Sequence, residues 1–565
     1  MKSMVSALRL GAKIFGKKCE YAAQNYSGLI CIFVLVLLCI LVYSNIFHDG
    51  FLIDDHILFE DSPKLLQDTT TAELFREGYN FTYRPIGLMF LKFEYFAFGK
   101  NAIGYHVMNI LIFAGICVVM FGVLYKVTKD RAISFLSTAL YAVHPINNFL
   151  LNYKTATNLS LFILCAFAAT WFFIGLARTG KPLYLIVSLI FYFAALLCHE
   201  IGFMTPAYLF LIAVFFYRDN LKRCFFYTLT YTIPFAVFFI LRVSSRPSVK
   251  ITGLFNAKAS IFQSLNTFYE LSIWYLSKLF FPANMLFMWE ERLKSSAFQL
   301  IPILVLSIIV ICAIYFIKKG QRNIFAFGFV VFAVGFIPAF LASFTYTVNL
   351  RTALIEPHWF GYASAGFFLM AAASLWKLKK IVTKPATISF CLLLICVLGV
   401  WTYRTNRLWK DDKTYCEYWM MISSINSTPW EALARRYIAE NSDKKMKNSV
   451  DLANLGLMFH LRRNAYGAIQ LYQEALEMDK NCAAAYYGLG ALFSDIGDSE
   501  KANEAFKIAG EIQPEYFEAY RLLAEVFVNQ GEKDYGRRIK AIVDQANREG
   551  KANQAKHKLT GGWVF

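Results

Sequence analysis

Asp54 and Asp55 are adjacent carboxylates only a few residues beyond the first long apolar run of the chain. Two carboxylates that close to lipid are costly unless they are solvated, metal-bound or catalytic. Taken alone, the pair reads as the solvated start of a loop. Further ionisable residues recur at intervals: Tyr83-Arg84-Pro85, Gly104-Tyr105-His106 with Asn109, His144-Pro145, and Cys198-His199-Glu200. Later come Arg242 and Glu356-Pro357-His358, the latter preceding Ser364-Ala365-Gly366-Phe367-Phe368. An isolated His or Glu inside a membrane is often a helix-packing residue. Several ionisable groups gathered on one side are harder to assign to packing.

What gathers them is the membrane. The 565 residues are 57% hydrophobic and only 17% charged, with 55 Phe and 32 Tyr, and a mean hydropathy of +0.44. A water-soluble chain carries about a quarter charged residues, so an ordinary cytosolic enzyme, a disordered chain and a small secreted scaffold are excluded. Eleven segments are apolar enough to be read as spans: 29–47, 102–125, 132–150, 158–176, 183–198, 201–217, 224–241, 299–317, 322–345, 359–376 and 386–403. The net charge of +18 falls in short loops between them, such as Lys126/Lys129/Arg131 and Arg218/Lys222/Arg223. Every second loop is basic, as the positive-inside rule requires. The register predicts a cytoplasmic N-terminus, which carries Lys2, Arg9, Lys13, Lys17 and Lys18. An odd number of spans puts the C-terminal part on the opposite side, with every candidate residue. No helix-turn-helix, zinc-finger or RNP pattern accompanies the charge, so no nucleic-acid partner is expected. Of the 12 cysteines, most lie in apolar runs and behave as small hydrophobes. Two opposite-side loops are long, 48–101 and 242–298; within the second, Phe268 to Phe281 reads as an interfacial or re-entrant helix.

After Tyr403 the chain turns polar and Ala-rich, and a 34-residue period begins. Gly456 recurs as Gly490, Tyr486 as Tyr520, Ala468 as Ala502, Ala475 as Ala509, and Gly497 as Gly531. That is the tetratricopeptide pattern of paired helices with small residues at their crossings. Residues 449–534 hold about two and a half repeats, and a helix near 535–550 caps them. The array reads equally as a peptide-binding groove and as a spacer. The expected fold is all-α: a membrane helical bundle over 1–403, a junction over 404–448, and a repeat solenoid over 449–550.

Phe51-x-x-Asp54-Asp55, Tyr83-Arg84-Pro85, Gly104-Tyr105-His106 with Asn109, and His144-Pro145 together resemble the membrane half of the TMTC family. These are the transmembrane and tetratricopeptide-repeat-containing O-mannosyltransferases of the GT-C superfamily. Glu200-Ile201-Gly202 is similar to that family's Lys-Glu segment, with His199 replacing the Lys. Glu356 with Ser364-x-Gly366-Phe367 is similar to its Glu-Arg…Ser-x-Gly-Phe segment, with one extra residue and no Arg. Asn406-x-x-Trp409-Lys410-Asp411 resembles the family's junction into the repeats.

The resemblance implies an inverting GT-C glycosyltransferase that moves a sugar from a polyprenyl-phosphate carrier to a hydroxyl at the extracytoplasmic face. An acidic residue of the first loop then serves as base or as ligand of a divalent cation, Mg or Mn. Asp54 and Asp55 are the candidates, with slight weight on Asp55 from the resemblance and none from spacing. A leaving phosphate gains negative charge, which a guanidinium meets in bidentate fashion; Arg84 and Arg242 are the candidates. His144, Glu200, Glu356 and His358 rank as supporting residues. The acceptor expected is Ser or Thr of an exported protein recruited by the repeats. The setting is a bacterial inner membrane, or the endoplasmic reticulum in a eukaryote, with the repeats periplasmic or lumenal. Within enzymes the rivals are transfer of a preassembled lipid-linked oligosaccharide and glycosylation of an envelope glycan. Outside enzymes the rival is a membrane scaffold whose repeats recruit an export or pilus machine.

Overall fold

The computed structural model describes residues 27–61, 64–76, 83–245, 261–285, 289–292, 300–320, 322–338, 340–341, 352–355, 361–422, 449–461, 465–496 and 498–513. Glu356, His358, and the predicted repeat and cap beyond 513 lie outside the described residues.

The chain divides after Tyr415 into two compact units, within the stretch read as a junction. The reason is visible in the junction residues. Asn406 is fully buried; its amide donates to the Val42 carbonyl at 3.1 Å and the Asn45 side chain at 3.0 Å, and accepts from Asn152 at 3.2 Å. Trp409 stacks on Tyr415 with ring centroids 4.3 Å apart. The segment seals the membrane unit before the chain leaves it.

The first unit begins with α1 (Ser27–His48), followed by the short helices α2 (Asp54–His56), α3 (Lys64–Asp68) and α4 (Thr71–Arg76). The bundle then runs α5 (Pro85–Phe98), α6 (Ala102–Thr128), α7 (Arg131–Val143), α8 (Asn148–Asn152), α9 (Thr157–Thr179), α10 (Pro182–Cys198) and α11 (Thr205–Phe216). It continues with α12 (Leu221–Leu229), α13 (Thr232–Ser244), α14 (Ile261–Phe280), α15 (Leu300–Lys319), α16 (Ile324–Val334), α17 (Ser364–Lys377) and α18 (Lys384–Asn406); α19 (Asp412–Ile422) begins in this unit and runs past its last residue, Tyr415. The starts follow their sequence signals: Asn101, Asp130, Asn323 and Thr383 cap α6, α7, α16 and α18 with their side chains.

Among the described residues, six helices are long and apolar enough to cross a bilayer: Ser27–His48, Ala102–Thr128, Lys154–Thr179, Arg218–Ser244, Leu300–Lys319 and Lys384–Trp409. The other five predicted spans hold shorter helices, from 11 residues in α16 to 17 in α10. Ala102–Thr128 and Lys154–Thr179 bury 61% of their apolar windows inside the protein, whereas Leu300–Lys319 buries only 6%. That helix turns Ile301, Ile308 and Ile311 outward, as α13 does Phe239 and Ile240. An exposed apolar belt of this extent is incompatible with water, so the first unit is that of a membrane protein.

Inside the belt, α9 packs on α6 and α10, while α17 packs on α7 and α16. The α16–α17 crossing rests on two glycines: a Cβ on Gly328 would meet the Gly366 carbonyl oxygen at 2.7 Å, and one on Gly366 the Gly328 oxygen at 2.6 Å. The stretch read as interfacial or re-entrant belongs to α14, which buries Phe268, Leu271, Tyr275 and Leu279 on one helical face. The all-α expectation needs one amendment. Strands β1 (Trp289–Arg292) and β2 (Thr352–Ile355) pair antiparallel, Trp289 opposite Ile355, so two loops hydrogen-bond through their backbones.

In the second unit, helices α20 (Ser449–Leu461), α21 (Ala465–Met478), α22 (Ala483–Asp495) and α23 (Ser499–Ile512) pack as pairs, α20 on α21 and α22 on α23. From Ser449 to Ala483 and from Ala465 to Ser499 are both steps of 34 residues, the period of the sequence pattern. Ala468 and Ala475 lie buried at the helix contacts, and a Cβ on Gly490 would come within 2.7 Å of the Phe506 ring.

Candidate functional site

Ionisable residues collect where the C-terminal ends of α1 and α18 meet the N-terminal ends of α6 and α9. The loop after α1 is held there from several directions. The Gly50 N–H donates to the Lys410 carbonyl at 2.9 Å, and the Lys154 ammonium donates to the Gly50 carbonyl at 2.6 Å. His106, buried on α6, is 3.2 Å from the Asp49 carbonyl through Nε2. Asn109 accepts from the Thr157 hydroxyl at 2.8 Å. The Gly104-Tyr105-His106…Asn109 pattern is thus a set of anchors for this loop and for the start of α9.

The two adjacent aspartates face different surroundings. Asp55 is fully buried. Its Oδ2 accepts from the backbone N–H groups of Leu52 and Lys154, both at 3.2 Å, and its Oδ1 accepts from Thr155 N–H at 2.9 Å. Burial pushes its pKa up to about 6, with Lys154 and the three backbone donors pulling the other way. Asp54 is exposed and lies within electrostatic reach of the Tyr153 hydroxyl. Asp49 is buried, and that burial raises its pKa to about 7.

His56 completes the cluster. Its Nδ1 lies 2.6 Å from Glu60 Oε2 and its Nε2 lies 3.1 Å from Asp412 Oδ2. Burial favours the neutral ring, but the two carboxylates outweigh it and raise the pKa. Protonated, the ring donates from both nitrogens. The other oxygen of Asp412 accepts the Ile53 N–H at 2.8 Å.

A second cluster lies at the start of α5. Arg84 gives Glu200 a two-point fork, Nε to Oε2 at 2.7 Å and Nη2 to Oε1 at 3.0 Å. His199 Nδ1 is 3.6 Å from the same carboxylate, and Arg242 adds its attraction from α13. Tyr83, beside Arg84, donates to the Phe75 carbonyl at 2.8 Å and packs on Phe238. The clusters are joined through α5 and α9: Gly87, one turn after Arg84, lies against Asn158, three residues after Thr155. A Cβ on Gly87 would sit 2.1 Å from the Asn158 Oδ1.

Five predicted residues therefore fall into two groups, Asp54 with Asp55, and Arg84 and Arg242 around Glu200. His144 lies apart among packed helices, accepting from Ile146 N–H at Nδ1 and meeting the Leu279 carbonyl at 3.2 Å through Nε2. Sequence reasoning passed over Lys154, His56, Asp412 and Glu94. Glu94 is fully buried on α5, and neither of its carboxyl oxygens has a hydrogen-bond partner among the described residues. Burial and the nearby Asp55 charge push its pKa up to about 9. Asp412 had a legible signal, an acidic residue at the first turn of a helix directly after an apolar span. The approach of the Lys154 backbone to Asp55, a carboxylate from another loop, had none.

Both Asp55 oxygens are taken by backbone N–H groups, and among the described residues no three His, Cys, Asp or Glu converge as a metal shell.

No protein-family model matches the chain, and no curated protein does. Among solved structures it is similar to the archaeal oligosaccharyltransferase AglB from Archaeoglobus fulgidus in complex with an inhibitory peptide and a dolichol-phosphate. The identity is 11%, 68% of this chain and 55% of that chain are covered, and the TM-score is 0.39. The chain spans about half the length of that protein. The class defined by the fold itself is a polytopic membrane protein with a unit of paired helices at its C-terminal end.

Proposed function

We propose that the chain is a membrane glycosyltransferase of the GT-C type, moving a sugar from a polyprenyl phosphate to a hydroxyl on an exported protein. The observation that carries this reading is the division of labour within the first loop. One carboxylate is locked to three backbone N–H groups, and its neighbour is left exposed beside it. A carboxylate fixed that firmly serves as a frame, and the exposed Asp54 is the group able to accept a proton.

In this reading the acceptor hydroxyl attacks the anomeric carbon and gives its proton to Asp54. The carbon–oxygen bond to phosphate breaks on the opposite side, which inverts the anomeric centre. The departing phosphate gains negative charge near Arg84 and Arg242. Both guanidiniums face the Glu200 carboxylate, and they are the groups that would meet that charge. The helix pairs of the second unit, read as tetratricopeptide repeats, recruit the protein acceptor, and the site faces away from the cytoplasm.

Mass spectrometry of exported proteins from a deletion strain tests the proposal. The expected result is loss of a sugar mass from Ser/Thr peptides, restored by the wild-type chain and not by Asp54→Asn. Unchanged glycopeptides in the deletion strain would sink it and leave the scaffold reading in place.

A further inference from the structure

Ile53, directly before the aspartate pair, has φ +48°. A β-branched residue enters the left-handed region against a bias of roughly tenfold, because its branched Cβ crowds the backbone. Such a conformation persists only where the surroundings over-determine it. Here they do. The Ile53 N–H is bound by Asp412 Oδ1 at 2.8 Å. The turn around it is closed on both sides, by Asp55 N–H to the Leu52 carbonyl at 2.8 Å and by Leu52 N–H to Asp55 Oδ2 at 3.2 Å.

Asp412 also reaches past the pair. Its Oδ2 holds His56 Nε2 at 3.1 Å, so one carboxylate grips residues on both sides of Asp54. Asp412 is itself only 5% exposed. Two residues earlier, the Lys410 carbonyl takes the Gly50 N–H at 2.9 Å. A single segment after the last span therefore sets the course of the loop before, at and after the exposed carboxylate. The direction in which Asp54 points follows from the dihedrals of Ile53, and those dihedrals depend on Asp412.

We infer that Asp412 is a positioning residue: it holds Ile53 in its left-handed conformation and thereby aims Asp54 at the reacting hydroxyl. The inference rests on the reading of Asp54 as the base. It differs from a simple packing role in one respect. If Asp412 is needed to hold a disfavoured backbone, the need should shrink when residue 53 is glycine, which populates that region freely.

The test is a cycle of Asp412→Ala, Ile53→Gly and the double variant, each as the full-length chain returned to the deletion strain. Sugar added to Ser/Thr peptides of newly exported protein is measured per molecule of enzyme. Asp412→Ala should lower transfer about tenfold, and the double variant should come back to within about threefold of Ile53→Gly alone. Equal loss from Asp412→Ala in both backgrounds would overturn the inference. A second arm needs no substrate. In the detergent-solubilised protein, Asp412→Ala should lower the apparent melting temperature less when residue 53 is glycine; identical drops in both backgrounds would again overturn it. Failure of the underlying reading looks different: Asp54→Asn would then keep full transfer, whatever the cycle shows.

Discussion

Asparagine at position 55 and asparagine at position 54 should produce opposite phenotypes, although the two side chains are neighbours. Asp55→Asn replaces one carboxylate oxygen by an NH2 group in a buried niche lined with three N–H donors. The least damaging rotamer turns the NH2 toward Thr155, sacrificing one bond and keeping the two on the other oxygen. A buried donor left without an acceptor costs about 1–3 kcal/mol. The two remaining bonds weaken as well, since charge-assisted hydrogen bonds are roughly twice as strong as neutral ones. The sum is about 2–4 kcal/mol, enough to lower the melting temperature of the solubilised protein by several degrees. Asp54→Asn changes an exposed group, so the melting temperature should hold. Transfer should fall by about 10²–10⁴, the usual contribution of a general base. The assay is sugar transfer per molecule of enzyme, paired with thermal unfolding at one fixed scan rate. A stable, inactive Asp55→Asn beside an active Asp54→Asn would refute the reasoning and move the base to Asp55.

Three further expectations follow from the geometry. Arg84→Lys keeps the charge but cannot reproduce the two-point fork on Glu200, so sugar transfer should fall about tenfold; an unchanged rate would remove Arg84 from the donor site. Asp49 and Asp55 have folded pKa values above their ordinary ones, at about 7 and about 6. Groups shifted upward stabilise the fold below the ordinary value and lose that contribution as pH rises through the folded value. The apparent melting temperature should therefore decline from about pH 4 to about pH 7, more shallowly in Asp49→Asn, and a rise across that window would contradict the assignment. Gly490→Leu would drive a side chain into the Phe506 ring, where a Cβ alone comes within 2.7 Å, at a cost of about 1–3 kcal/mol. Limited proteolysis should speed up within 449–513 while the membrane unit keeps its melting temperature; equal protection of the second unit would show that the crossing is looser than described.

Much of the architecture was legible because it is local. Hydropathy located α1, α6, α9, α15 and α18, since a helix in lipid must be apolar along its length whatever its neighbours are. The 34-residue period located the helix pairs of the second unit, because small residues must recur wherever the same crossing recurs. Length was less legible. Several apolar runs of span length hold shorter helices, such as the 13 residues of α7, which ends at Val143 before His144-Pro145. Apolarity alone does not say where a helix must stop.

The site was legible as a set of residue types and illegible as an arrangement. Residue order is enough to show that an acidic pair follows the first span and that Arg84, Glu200 and Arg242 exist to be brought together. It could not separate Asp54 from Asp55, because adjacent residues on a chain share every sequence signal and differ only in direction. That direction is set by partners far away: Asp55 by the backbone of Thr155, 100 positions on, and Ile53 by Asp412, 359 positions on. The fork between Arg84 and Glu200 joins residues 116 apart. Side-chain hydrogen bonds act over about 3 Å, so contacts such as these come into being only after the helices have packed. Tertiary structure alone therefore decided which carboxylate is locked in place and which is left exposed.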